Sequence, residues 1–552
     1  MTNKKIVSLA GIILLVVGVI VAGGLWYWQT HKKKIIRHKI EETVRKKSDG
    51  LYKVQYDSLA LDEIGGKLSI TSLHLRYDSL QYEKLKNTGK APFVLFNVFI
   101  PEINIAGVQT PRALIDKEIS GHHIELIKPV IEILYTHSGK DSMRNVPDKA
   151  IYQQILGDLN LIKLDSVVIS GAQVITKNLK TGRQFVRFSN LSLLLLNVAV
   201  DSAANTDSTR LLFAKELNLD CEKFDWQSES KLYHYQVDGI SFRSAASSVR
   251  MRNFFMRPAF NETAFAKKFS YQSDRFDLAI HDISLNGADF YRLLDEVVVA
   301  DQMKIGSASF KIYRDRNLPV ESESKLGDYP QQLLQKVPVK FEIRHASIKN
   351  TTIVYRENSS ITHQVGTVLF ANSSAVISNI TNRNTAIARN NKMVVHMNAA
   401  FLNQVPLSAD WTFYLGEQKG KFAVSGRSKS ADATIFNPLT IPMGPAEIKS
   451  GNLKSMQFDL NGNGNGVSGR FQMIYDDFKV SLLKKEEDSV HFKKRKIASL
   501  FANIKIKNSN PSDEGDAPRV ADVKLSRNIH WSMFNLVWKS LFQGVQEITG
   551  AK

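Results

Sequence analysis

The residues with the widest chemical range are thinly spread through this 552-residue sequence. There is one cysteine, Cys221, which excludes an intramolecular disulfide and argues against a cysteine-based metal site. His122 and His123 are adjacent. In a strand, neighbouring side chains point to opposite faces, so these two cannot share a metal and read as surface or edge positions. The sequence holds no H-E-x-x-H zinc pair, no G-x-S-x-G nucleophile elbow and no G-x-x-x-x-G-K-[ST] phosphate loop. One formal dinucleotide match exists, Gly464-Asn465-Gly466-Val467-Ser468-Gly469. Such a loop needs a strand before it and a helix after it. Here Met456–Leu460 and Phe471–Tyr475 both alternate as strands, so the glycines predict a β-hairpin turn. Acidic residues are scattered, with no carboxylate pair set apart by spacing. The reading is a protein without catalytic residues, cofactor or bound metal, and not an enzyme.

Composition sets the next bound. Hydrophobic residues make up 43% and charged residues 23%, an ordinary globular balance, and the formal net charge is +19. A basic chain favours anionic partners, among which lipid headgroups rank with nucleic acid. The charge is dispersed, with local clusters at Lys32–Lys34 and Lys493–Lys496. No basic motif is interleaved with aromatics, so nucleic acid is not an expected partner.

The elements that position these residues begin with an anchor. Ile6 to Trp28 reads IVSLAGIILLVVGVIVAGGLWYW, without a charge. At about 1.5 Å per residue a helix of this run crosses a hydrocarbon core of roughly 30 Å. Ile6, Leu14 and Val17 lie in its apolar length; Trp26, Tyr27 and Trp28 fall where amphipathic rings prefer the headgroup level. A cleaved signal peptide is the competing reading, and Ala22-Gly23 is a passable cut site. Signal h-regions run about 7–15 residues, shorter than this one, and the expectation is a single uncleaved span.

After a basic helical stalk, the period changes from helical to two at about Leu51. Leu68 and Ile70, Leu73 and Leu75, Val98 and Ile100, Ile103 and Ile105 alternate with polar neighbours. So do Ile131 with Ile133, Val167 with Ile169, Phe276 to Ile280, Ala308 to Ile312, and Phe341 with Ile343. A turn is expected after Ile343, with Ile353 and Tyr355 on the return strand. Met393 to Met397, Trp411 with Phe413, Phe422 with Val424, Met456 to Leu460 and Phe471 to Tyr475 continue the pattern. Strands with one apolar and one polar face follow from it, joined as antiparallel neighbours. Short helices are expected at 150–159, 290–297 and 329–336, and a loop over 202–218. At the C-terminal end Phe534, Val537, Trp538, Leu541, Phe542 and Val545 predict an amphipathic helix. Two roles are open to it: capping a sheet end, or touching a membrane or partner.

Several phrases, in order, resemble one family. Gly66 to Leu75 (GKLSITSLHL), Ile100 to Val108 (IPEINIAGV) and Gly121 to Ile133 (GHHIELIKPVIEI) are similar to the strand repeat of AsmA-like proteins. Gly469 to Lys485, Ser509 to Pro511 and Phe534 to Gly550 resemble the C-terminal end of AsmA-like proteins of the Bacteroides group. The resemblance covers both ends, while the middle agrees in character.

It implies a Gram-negative inner-membrane protein with its body in the periplasm. It further implies a mainly β fold, an elongated, curled antiparallel sheet forming an apolar groove that handles phospholipid for the outer membrane. Expected groove-lining residues are Leu68, Ile70, Ile103, Ile105, Ile131, Ile133, Phe341, Ile343, Trp411 and Phe413. The division expected is a flank 1–5, anchor 6–28, stalk 29–49, β-rich body 50–525 and C-terminal helix 526–552. Expected partners are phospholipid and the inner membrane, with an outer-membrane or envelope protein as a further one. The alternative is an anchored scaffold or assembly factor for outer-membrane proteins, with a closed core. The charge rule alone opposes the periplasmic topology, because the flank after the anchor is the more basic one.

Overall fold

The computed structural model describes residues 41–107, 118–136, 160–292, 297–320, 323–443, 446–485, 492–494 and 506–551, apart from 43, 47, 63 and 64. The expected anchor, including Ile6, Leu14, Val17, Trp26 and Trp28, and the helix expected at 150–159 lie outside these residues. Among the described residues no helix is long and apolar enough to cross a membrane. The chain is mainly β, and it divides into two compact units: residues up to 253 with 286–296, and 254–285 with 297 onward.

In the first unit β1 (Tyr52–Gln55) and β2 (Ser58–Asp62) lie end to end along β3 (Lys67–Tyr77). β4 (Val94–Ala106) pairs with β3, and then with both β5 (Glu118–Ile127) and β6 (Val130–Tyr135). β5 and β6 form one strand line broken at Lys128-Pro129, where Lys128 has φ +48° and proline has no N–H to give a ladder. Both run parallel to β7 (Leu161–Asn178), which is followed antiparallel by β8 (Gln184–Val200), β9 (Glu216–Gln227) and β10 (Tyr233–Arg243). Helix α1 (Ser79–Asn87), capped by the Asp78 carboxylate on the Leu80 and Gln81 N–H groups, covers a small cluster of Leu51, Tyr82, Leu95 and Leu134. Over 202–218, where a loop is expected, one short helix, α2 (Ser202–Thr206), precedes β9.

β11 (Ser248–Pro258) passes from the first unit into the second, which then contains α3 (Glu262–Ala266), β12 (Asp274–Asn286) and β13 (Val297–Asp315). β13 runs parallel to β14 (Lys340–Asn358). Antiparallel pairing continues through β15 (Val365–Thr381), β16 (Lys392–Phe401), β17 (Val405–Tyr414) and β18 (Phe422–Ser428). β18 and the short β19 (Ala431–Asp432) share β20 (Ala446–Asn463), which pairs β21 (Gly466–Lys485). β21 carries both β22 (Phe492–Lys494) and β23 (Val520–Ser526). The expected turn at Gly464-Asn465 is a two-residue β-hairpin turn, with Asn463 opposite Gly466.

Two expectations need correction. The sheet is not wholly antiparallel, because β5 and β6 against β7, and β13 against β14, run parallel. A parallel return needs a long crossover, and the stretch from Asp315 to Lys340 supplies one, carrying α4 (Pro330–Lys336) where a short helix was expected. There is no turn after Ile343: β14 runs unbroken from Phe341 through Tyr355, and the change of phase is a bulge at Asn350, φ +45°.

That bulge belongs to a repeated device. In the first unit Ser72, Lys128, Gly171, Asn190 and Gly239 have positive φ at matching levels of successive strand lines. In the second unit Asp282, Asn350 and Asn372 do the same. Glycine, asparagine and aspartate tolerate this backbone best. One extra residue at each position bends the strand and flips the alternation, so that Ile70 and Leu73, three apart, are both buried.

In the second unit α5 (Asn384–Arg389) carries Arg389, which pairs with Glu342. Helix α6 (Asn437–Met443) touches both β15 and β20, so the strands between bend around it. α7 (Met533–Thr549) packs on β21 and β23. Ser532 caps its start by accepting the Asn535 N–H, and Gly550 at φ +74° ends it. The core beneath holds Phe413, Phe422, Phe458, Leu460, Phe471, Met533, Leu536 and Ile548. Each such side chain removed from water contributes about 1.5–3 kcal/mol.

Candidate functional site

Register turns the sequence alternation into rows that run across the strands. In the first unit one row reads Ile70, Ile103, Leu126, Ile169, Leu193, Leu219, Phe242. Its members are buried as far as Ile169 and half-buried from Leu193 onward. A second row reads Phe96, Ile133, Thr176, Val186, Trp226, Tyr235. On β8 to β10 a ladder of rings runs through this second row and the neighbouring row of Phe188, Phe224 and Val237. Phe188 stacks on Phe224 at 4.3 Å, Phe224 on Trp226 at 4.8 Å, and Trp226 on Tyr235 at 4.8 Å and 8°. All four rings are half-buried. Together they form an apolar face with solvent access.

The second unit holds a comparable face. Phe310, Ile353, Phe370 and Phe401 form one row, all half-buried, and Phe276 stacks on Phe310 at 5.9 Å. A longer row runs Ile305, Ile348, Ala375, Met397, Ala409, Gly426, Phe458, Phe471, Ala521. It is half-buried to Met397 and buried from Ala409, and α7 packs on its end at β21 and β23. Gly426 and Gly462 lie under the rings of Phe458 and Phe422, where a Cβ would run into ring atoms.

One end of this face is polar. Asp274 holds Arg314 through two hydrogen bonds of 2.6 and 2.5 Å, Arg316 lies 2.8 Å from Glu357, and the Tyr355 hydroxyl donates to Glu357 at 2.5 Å. Burial, reinforced by the Glu357 charge, pushes the Tyr355 phenol well above its ordinary range. These charges neutralise one another at the strand ends.

The nominated lining residues divide accordingly. Ile70, Ile103, Ile105, Ile131, Ile133 and Phe413 are buried, whereas Leu68, Phe341, Ile343 and Trp411 are half-buried. The strands bring Leu68 beside Ile105 and Ile70 beside Ile103. Sequence reading missed the ring ladder, although Phe224-x-Trp226 and Tyr233-x-Tyr235 alternate around a short turn. In the C-terminal helix Val537 is buried and Leu541 partly so, while Phe534, Trp538 and Phe542 are exposed by 60%, 43% and 53%.

Other chemistry-bearing residues are accounted for separately. His122 contacts Asp165 at 2.7 Å and His123 contacts Ser166 at 2.8 Å, so each has its own partner on β7. Cys221 is buried, and burial pushes its thiol up, away from the reactive thiolate. Among the described residues no group of three or more His, Cys, Asp or Glu side chains is placed to hold a metal ion. The chain matches no protein-family model and no curated protein sequence.

Proposed function

We propose that this protein is an envelope protein of AsmA-like type, anchored in the inner membrane by residues 6–28, that binds lipid acyl chains on its half-exposed apolar faces. The observation that carries the reading is the change along single rows from buried to half-buried side chains, with the ring ladder on β8 to β10. Apolar faces of this extent are unfavourable in water, and each methylene transferred onto them gains about 0.8 kcal/mol. Acyl chains lie along the half-buried rows within each unit, and in the second unit the headgroups sit at the polar end of β12 to β14. The body lies in the periplasm and supports the lipid balance of the outer membrane, without a catalytic step.

A scaffold or assembly factor for outer-membrane proteins is the second reading. It is favoured by the rows on β3 to β7, whose members Ile70, Ile103, Leu126 and Ile169 are fully buried. The two readings separate on bound lipid. The full chain, extracted into native nanodiscs and then moved to amphipol, is compared with a variant carrying Phe224→Asp and Phe310→Asp. Phospholipid retained by the parent and lost by the folded variant supports acyl binding. Equal lipid in both, or none in either, removes it in favour of the scaffold.

A further inference from the structure

Helix α7 is apolar over more of its circumference than its contact with the sheet requires. At 100° per residue its apolar and small side chains cover about 240°, whereas a core-facing stripe needs little more than about 100°. One part, Met533, Leu536, Val537, Ser540, Gly544 and Ile548, is buried on β21 and β23. The remainder is the flank Phe534, Trp538 and Phe542, spaced by four residues and exposed. The direction of that flank is fixed by one contact, since the Phe534 ring meets the Trp411 ring edge-on at 5.8 Å. Trp411 belongs to the row Ala346, Ile377, Val395, Trp411, Val424, Leu460. Ile377, Val395 and Trp411 in that row are half-buried. The start of the flank thus lies against this part of the row, inside the second unit.

We propose that the flank and this part of the row form a trough for a single lipid acyl chain, with Phe534, Trp538 and Phe542 along one side and Ile377, Val395 and Trp411 beneath. The proposal rests on the acyl-binding reading above and assigns it a particular site. The chemistry of the lining selects the occupant. Its side chains offer almost no hydrogen-bonding group, so a peptide laid there would bury unsatisfied N–H and C=O groups, whereas a hydrocarbon chain brings none. On β16 and β17, His396 and Asp410 pair with each other at 2.6 Å and are largely exposed. From Phe534 to Phe542 the helix rises about 12 Å, most of one leaflet of a roughly 30 Å hydrocarbon core.

The test uses the full chain in amphipol with Trp538 as its only tryptophan, the others replaced by phenylalanine, titrated with monomeric 9,10-dibromostearate. Saturable quenching of Trp538 is expected, with binding about tenfold weaker in a Phe542→Gln variant. Gln546→Ala, on the polar side of the helix, should leave it unchanged. A second chain, with Trp226 as its only tryptophan, reports the ring ladder of the first unit. Quenching at Trp226 without quenching at Trp538 overturns this site and leaves acyl binding standing. Quenching at neither overturns both. Quenching of Trp538 by brominated vesicles but not by the monomeric acid means that the flank docks on a bilayer, which also overturns the proposal.

Discussion

At Gly544 α7 lies directly against Phe471 of β21, and replacing this glycine by alanine opposes two effects of known size. In the interior of a helix alanine is favoured over glycine by about 1 kcal/mol. Here, however, the new Cβ would lie 2.6 Å from both Cγ and Cδ1 of Phe471 and 2.9 Å from its Cβ. Those atoms are at the root of a fully buried ring, not at the free end of a flexible chain. Overpacking of this kind costs about 1–3 kcal/mol, so Gly544→Ala should destabilise by up to about 2 kcal/mol instead of stabilising. The assay is chemical unfolding of the full chain, with the fluorescence of Trp531 and Trp538 reporting α7. Phe471→Ala alone should cost about 3–5 kcal/mol. In that background the ring atoms are gone and only the Cβ at 2.9 Å remains, so Gly544→Ala should recover much of its gain of about 1 kcal/mol. A stabilising Gly544→Ala in the parent chain, or no change of sign between backgrounds, would refute the docking described for α7.

Three further outcomes follow from the packing. Burial pushes the Tyr52 phenol up to about 12, although the Phe96 N–H donates to its oxygen. A raised folded pKa gives stability that is complete below the unfolded value near 10 and lost as pH rises toward 12; the loss is about 3 kcal/mol, and Tyr52→Phe should remove this alkaline contribution in pH-dependent unfolding. Glu342 is buried and accepts from Arg383 at 2.5 Å and Arg389 at 2.9 Å, so Glu342→Gln should cost about 3 kcal/mol in denaturant unfolding, with Arg383 left short of its counter-charge. Gly171→Ala, at φ +66° and with Lys128 Cγ 3.3 Å from the new Cβ, should cost about 1–2 kcal/mol in the same assay.

Much of the fold was legible because a strand repeats every two residues and the apolar positions announce it. Leu68 with Ile70, Phe341 with Ile343, and Trp411 with Phe413 all fall on strands. The steps of three, from Ile70 to Leu73 and from Ile100 to Ile103, were equally visible and carried more information than alternation alone. They mark bulges, where one residue in or near the left-handed region or a proline shifts the phase. Treating such a break as a turn placed a false hairpin inside β14, because a bulge and a turn both use asparagine. Parallel pairing was not legible, since register between distant strands depends on the crossover and not on either strand.

The site divided for a different reason. Which apolar residues keep contact with water depends on what covers the row, and cover comes from α6 and α7, far along the chain. In the second unit Phe458 and Phe310 therefore read alike in sequence, yet one is buried and the other half-buried. For α7 the apolar stripe was visible, but its split into a docked side and an aromatic flank required the contacts of Gly544 with Phe471 and of Phe534 with Trp411.

The central claim is that the half-exposed faces, and not the buried rows, meet lipid. A photo-crosslinking residue placed singly at Phe224, Phe310, Ile70 and Ile103 of the full chain in cells tests it most directly, with adducts identified by mass spectrometry. The account predicts phospholipid adducts at Phe224 and Phe310 and none at Ile70 or Ile103. Adducts with protein alone at Phe224 and Phe310, or no adducts at any of the four in chains that fold and accumulate normally, would contradict it.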